Sequence, residues 1–170
     1  MTTPTNASEH QTTERSEARA QALRQRDSLM LTADGRDMLS ERAHHLRTVA
    51  LPELRPLLSA RERDERMVAE FERLSIEAER LERLVATATA LPAYADGSVH
   101  LGSRVLIELP GGDRIVVRPV HAVEAFLDDE RVSLDSPVSQ AVLGARSGDA
   151  VAVEGPSGRW TCVVLDVRAG

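Results

Sequence analysis

The side chains of this sequence best suited to hold a metal ion gather in one charged stretch, Ser59-Ala60-Arg61-Glu62-Arg63-Asp64-Glu65-Arg66. Glu62 and Glu65 stand three apart, as on one helical face, with Asp64 between them. Carboxylate oxygens are what a hard cation such as Mg²⁺ takes as ligands. The interleaved Arg61, Arg63 and Arg66 lower the negative charge such an ion needs, so the stretch reads equally as a solvated turn of mixed charge. Other candidates are weaker. The five histidines, at 10, 44, 45, 100 and 121, are dispersed. His44 and His45 are adjacent, so on a helix they point about 100° apart, which suits no metal site; surface or interface positions are expected for all five. Ser136 lacks a His and an acid at triad spacing. Cys162 is the only cysteine, in an apolar run, which excludes an intramolecular disulfide and argues against a thiolate cluster. Pro110-Gly111-Gly112-Asp113 lies between two strand patterns and reads as a hairpin turn, not a phosphate loop. The chain is expected to carry no metal or cofactor of its own.

Two helical arms would position the charged stretch. Thr32 is a good helix cap, with Asp34 in the first turn, and Leu39, Ala43, Leu46 and Ala50 follow at intervals of four, three and four. Pro52 and Pro56 interrupt this arm, each removing a hydrogen bond and crowding the preceding turn, so a kink or a thinned helix is expected. In the second arm Met67, Phe71, Leu74, Ala78, Leu81, Val85 and Ala88 alternate spacings of four and three throughout. The predicted element is an antiparallel coiled-coil hairpin over residues 31–91 with its tip near 59–66. An arm of about 26 residues projects roughly 39 Å. Residues 1–30 are rich in Thr, Ser, Glu, Gln and Arg and are predicted to be a disordered tail, with a transient helix toward its end. Residues 92–98, with Pro92 and Gly97, read as a linker.

The C-terminal part, 99–168, is written as strands around one short helix. Ser136 can accept the first free N–H groups, Pro137 fits the first helical position, and Gly144 can end the helix in a left-handed conformation. With the alternation at Val151-Ala152-Val153, this predicts a helix laid across a small antiparallel sheet, an α+β arrangement. The chain of 170 residues has only one Trp, one Tyr and two Phe, which suits a coiled coil plus a thin sheet. Its net charge of −6 argues against independent binding of nucleic acid by phosphate neutralisation. An acidic protein entering a positively charged protein groove is easier to accept. No run approaches the roughly 20 apolar residues of a membrane span, and no basic stretch precedes an apolar core at the N-terminus. A soluble, cytoplasmic monomer is expected.

The wording of the C-terminal half resembles the Gre family of bacterial transcript cleavage factors. The resemblance runs through Val99-His100-Leu101-Gly102-Ser103-Arg104-Val105-Leu106-Ile107-Glu108, the Ser136-Pro137 helix ending in Leu143-Gly144, Gly148-Asp149, Pro156-Ser157-Gly158 and Val163-Val164-Leu165-Asp166-Val167. Upstream, Leu31-Thr32-Ala33-Asp34-Gly35 and the mid-helix Pro52-Glu53 extend it. The resemblance implies an FKBP-like C-terminal domain and RNA polymerase as partner. It further implies that the hairpin enters the polymerase's secondary channel and that Asp135, Ser136 and Pro137 grip a rim beside the entrance. In the family an Asp-x-x-Glu pair at the tip helps hold a Mg²⁺ at the polymerase's own active centre. Aligning Ala69-Glu70-Phe71 with the family pattern puts Asp64 on the aspartate but Met67 on the glutamate. The hairpin also looks shorter than the family's; five fewer residues withdraw a tip by about 7 Å. A non-cleaving regulator of elongation, pausing or initiation is therefore expected, against a genuine cleavage factor or a coiled-coil protein with another partner. Peptidyl-prolyl isomerase activity, suggested by the FKBP-like fold alone, lacks its aromatic pocket here, with only Phe126 and Trp160 in the domain.

Overall fold

The computed structural model describes residues 16, 17, 20, 28–58, 64–94, 96–156 and 158–170. They form two compact units, one of the described residues within 33–88 and the other of those that flank them on either side.

The first unit is the helical hairpin. Its first arm runs without interruption through α1, Ala33–His45, a π-helical turn, Leu46–Ala50, and α2, Leu51–Leu58. The second arm is α3, Glu65–Thr87. Only residues 59–64 join the arms, so they pack antiparallel. Heptad positions make most of the seam: Leu39, Ala43 and Leu46 are buried on one arm, Ala78 and Leu81 on the other, but after Leu46 the buried residue is Leu51, while the expected Ala50 is half-buried. Met67, Phe71 and Leu74 are only half-buried, so the seam thins toward the joined end. Arg42 holds Glu77 through Nε at 2.9 Å and Nη2 at 2.6 Å, and Arg47 holds Glu82 at 2.9 and 3.0 Å, tying the arms from outside the seam.

The expected disturbance at the prolines takes a specific form. Pro52 has no N–H for the Thr48 carbonyl, and its ring would collide with that carbonyl in a regular helix. The turn before it widens: the Leu51 N–H bonds the Leu46 carbonyl, five residues back. Thr48 adds a bond from Oγ1 to the His44 carbonyl at 2.8 Å. Pro56 sits inside α2.

The second unit opens with β1, Met30–Leu31, which pairs in parallel with β2, Thr89–Ala90. Met30, assigned above to the tail, is thus a strand residue, while most of that tail lies outside the described residues. The other strands are β3, Arg104–Glu108, β4, Arg114–Val120, β5, Arg131–Ser133, β6, Ala150–Gly155, and β7, Gly158–Arg168. They form one sheet in the order β5-β4-β3-β7-β6. The short helix α4, Pro137–Val142, packs against β6. Alternation decides which face is buried: Val105 and Ile107, Val151 and Val153, and Cys162 and Val164 join Val117, Leu134, Val142 and Leu143 in one apolar core. The residues expected to turn between β3 and β4 do so, with the Leu109 N–H bonding the Asp113 carbonyl at 2.8 Å and Gly112 at φ +86°.

One expectation is corrected. The sheet is not wholly antiparallel: β5 pairs with β4 in parallel, because residues 121–130 carry the chain back along β4 before it re-enters the sheet. At the end of the expected linker, 92–98, Ser98 bridges Arg146.

Candidate functional site

Asp135, Ser136 and Pro137 come together at the turn between β5 and α4. Ser136 has extended backbone angles, φ −71° and ψ 147°, and its Oγ accepts the Ser139 N–H at 3.1 Å. Pro137 follows at the first helical turn, where its missing N–H costs nothing. The Asp135 N–H donates to Ser133 Oγ at 3.2 Å, and the Ser136 N–H to the Ser133 carbonyl at 2.8 Å. Leu134, buried, and Ser139, whose Oγ donates to the Val132 carbonyl, fix the turn from beneath. Asp135 is exposed while Ser136 and Pro137 are half-buried. The Ser136 hydroxyl is occupied as a cap, with no His and acid arranged to make it a nucleophile in the sequence around it. Gly144, at φ +73°, ends the helix as its sequence position suggests.

At the joined end of the hairpin, Glu62 lies outside the described residues. Asp64 is the N-cap of α3: its Oδ1 accepts the Arg66 N–H at 2.9 Å, and its carbonyl accepts the Met67 N–H at 2.9 Å. Glu65 opens the helix, exposed, where its charge complements the helix dipole. Met67, at a heptad position, is half-buried.

Two clusters escaped sequence reasoning. Glu124 has no exposed surface; its two oxygens accept the Thr32 N–H at 2.8 Å and the Thr32 hydroxyl at 2.5 Å, and the Arg131 Nε lies 3.6 Å away. Arg131 also pairs with Asp128. The Thr32 hydroxyl, expected at a helix cap, donates to Glu124. The second cluster is in the supposed linker. His100, expected at a surface or interface, is buried, with its ring stacked on Tyr94 and its Nε2 against Asp96. Burial opposes ionisation of Asp96, but the Ser98 N–H, His100 and the Ser98 hydroxyl outweigh it and bring the carboxyl down to about 2. The Asp96-Gly97 pair was a legible turn signal; its histidine partner was not.

Residues 94–169 match the family described as transcription elongation factor GreA/GreB, C-terminal. The chain is 28% identical over 150 residues to transcription elongation factor GreA of Geobacillus kaustophilus, covering 81% of this chain and 95% of that protein. It is 33% identical to GreA of Streptococcus thermophilus over 77 residues, 45% of this chain and 48% of that protein. Among solved structures, GreA factor homolog 1 (Gfh1) of Thermus thermophilus aligns at 28% identity, covering 83% of this chain and 99% of that one, with a TM-score of 0.37. Residues 94–169 thus match the GreA/GreB C-terminal family, and the chain is similar to GreA along most of its length.

Proposed function

We propose that this protein binds bacterial RNA polymerase and regulates transcription elongation through the secondary channel, modulating elongation, pausing or initiation without stimulating RNA cleavage. The observation that carries the non-cleaving reading is the start of α3. Asp64, on the family's aspartate position, is committed as a helix cap, and Met67, on the glutamate position, is a seam residue. A thioether is a poor ligand for a hard ion. Docking is assigned to Asp135, Ser136 and Pro137, whose turn is held by hydrogen bonds to Ser133 and Ser139 and carries the exposed Asp135. Any Mg²⁺ involved belongs to the polymerase, and the chain contributes no reaction of its own. It acts as a cytoplasmic monomer, with no independent hold on nucleic acid.

A second reading, a genuine cleavage factor for backtracked polymerase, is favoured by the exposed Glu65 beside Asp64. The deciding experiment adds the purified protein to a backtracked elongation complex and follows RNA length, with Asp135→Ala/Ser136→Ala as docking control. Slower intrinsic shortening, abolished by the control, is expected. Faster shortening that disappears in Asp64→Ala or Glu65→Ala establishes the cleavage factor, and no change at all overturns polymerase binding.

A further inference from the structure

We propose that the edge of β6 takes an extended segment of the polymerase as a sixth strand, with a Lys or Arg of that segment at the Gly155 end. The proposal rests on the polymerase reading above and adds the chemistry of the contact.

β6 is the last strand in the order β5-β4-β3-β7-β6. It pairs with β7 in one unbroken register, from Ala150 opposite Val163 to Gly155 opposite Gly158. One step before that ladder, the Val164 N–H bonds the Asp149 carbonyl at 2.8 Å. Bonded pairs alternate along antiparallel strands, so Val151, Val153 and Gly155 bond inward to β7 as Asp149 does. The N–H and C=O groups of Ala150, Ala152 and Glu154 therefore point away from the sheet, and among the described residues no bond from another element reaches them.

Native sheets guard such edges with lysines, prolines, bulges or short length. The opposite edge, β5, has three residues; β6 has six, with no register shift and no Lys or Pro within it. Ala150 and Ala152, exposed on the face away from α4, are small enough to admit a neighbouring strand. Main-chain bonds along an edge supply affinity, and side chains at alternate positions supply selection.

The partner's chemistry follows from the surroundings of the Gly155 end. α4 packs on β6, and the Pro137 Cγ lies 4.0 Å from where a Cβ on Gly155 would stand, so the edge is continuous with the docking turn. Two exposed carboxylates flank that end: Asp135, two residues before Pro137, and Glu154, next to Gly155. The Arg159 Nε is 3.8 Å from Glu154, but both side chains lie largely in solvent, where such a pair contributes little. A basic side chain on the added strand answers these carboxylates. A second copy of this chain, with its net charge of −6, would bring the same acids to the contact.

The test reads amide hydrogen exchange along β6, free and with polymerase bound, and polymerase affinity for wild type, Ala152→Pro, Ala152→Thr and Glu154→Lys. In the free protein the Ala152 amide should exchange fast and those of Val151 and Val153 slowly; bound polymerase should slow Ala152 about tenfold or more, the worth of one net backbone bond. Ala152→Pro removes an N–H that the fold does not use, where an edge strand tolerates proline, so cooperative unfolding should persist while affinity falls about tenfold. Ala152→Thr keeps that N–H and should stay within about twofold of wild type. Glu154→Lys, changed only at the surface, should also lose about tenfold. If Ala152→Pro does not fold, exchange in wild type and the affinity of Glu154→Lys decide. An Ala152 amide already protected in the free protein, or an Ala152→Pro variant that folds and binds as wild type does, overturns the strand addition. Protection that grows with protein concentration alone assigns the edge to a second copy and overturns it too, and unchanged affinity in Glu154→Lys overturns the basic partner. If wild type does not bind polymerase, the functional reading falls and this occupant with it; binding that leaves Ala152 unprotected removes the added strand alone.

Discussion

A carboxylate with no exposed surface is tolerated only where fixed donors replace its water, and Glu124 has the Thr32 N–H, the Thr32 hydroxyl and Arg131 around it. Removing it strips the Thr32 N–H and hydroxyl of their acceptor and takes one carboxylate from Arg131, which keeps Asp128. Glu124→Ala should therefore cost roughly 1–3 kcal/mol in urea denaturation, the penalty of leaving a buried donor unsatisfied; a cost near zero would contradict that account. Asp96 makes a pH-dependent contribution. Its carboxyl ionises at about 2 in the folded chain against an ordinary 3.8, so on acidification the unfolded state takes up the proton first. The stability it contributes is complete above 3.8 and is lost as pH falls through about 2. Asp96→Asn should flatten the acid decline of stability in that window and leave the rest of the profile parallel. Ser136, Pro137 and Gly144 were legible because a cap and a stop are local to a few residues. Glu124 was not, since its partner Thr32 is 92 residues away in the chain.

At the scale of elements, the arms of the hairpin were legible as heptads because burial at every third or fourth residue leaves a period in the sequence. The strands β1 and β2 left none: each has two residues, and what defines them is their pairing across the whole hairpin. The parallel β4–β5 pair escaped for the same reason, since orientation belongs to the connection 121–130 and not to the alternation within either strand. The π-helical turn was half-legible; Pro52 announced a disturbance, but a kink and a widened turn satisfy the same steric demand. Pro52→Ala tests that cause. An alanine supplies the N–H that the Thr48 carbonyl lacks, so residues 46–50 should return to α-helical spacing, read from NMR contacts between residues three and four apart. The gain in stability should be less than the roughly 3 kcal/mol separating Ala from Pro in a regular helix, because the widened turn already relieves the collision. A wide turn that persists in the variant would assign it to seam packing instead.

The whole molecule divides its work between two cores. The sheet unit buries Val99, Val105, Ile107, Val151, Val153 and Val164 against α4, while the hairpin closes on its own seam of Leu39, Leu46, Leu51 and Leu81. Because the chain enters and leaves residues 33–88 through adjacent strands, β1 and β2, the hairpin can be exchanged for a short Gly-Ser loop without breaking the sheet. The shortened protein should unfold in one cooperative transition on denaturant, since every residue of the sheet core remains. It should compete with the intact protein for polymerase, because Asp135, Ser136 and Pro137 are untouched, yet leave RNA shortening in a backtracked complex unaltered. Competition places docking in the sheet unit and the effect on RNA in the hairpin. Failure to compete, in a shortened protein that still unfolds cooperatively, would move the polymerase contact onto the helices and remove the role assigned to the turn before α4.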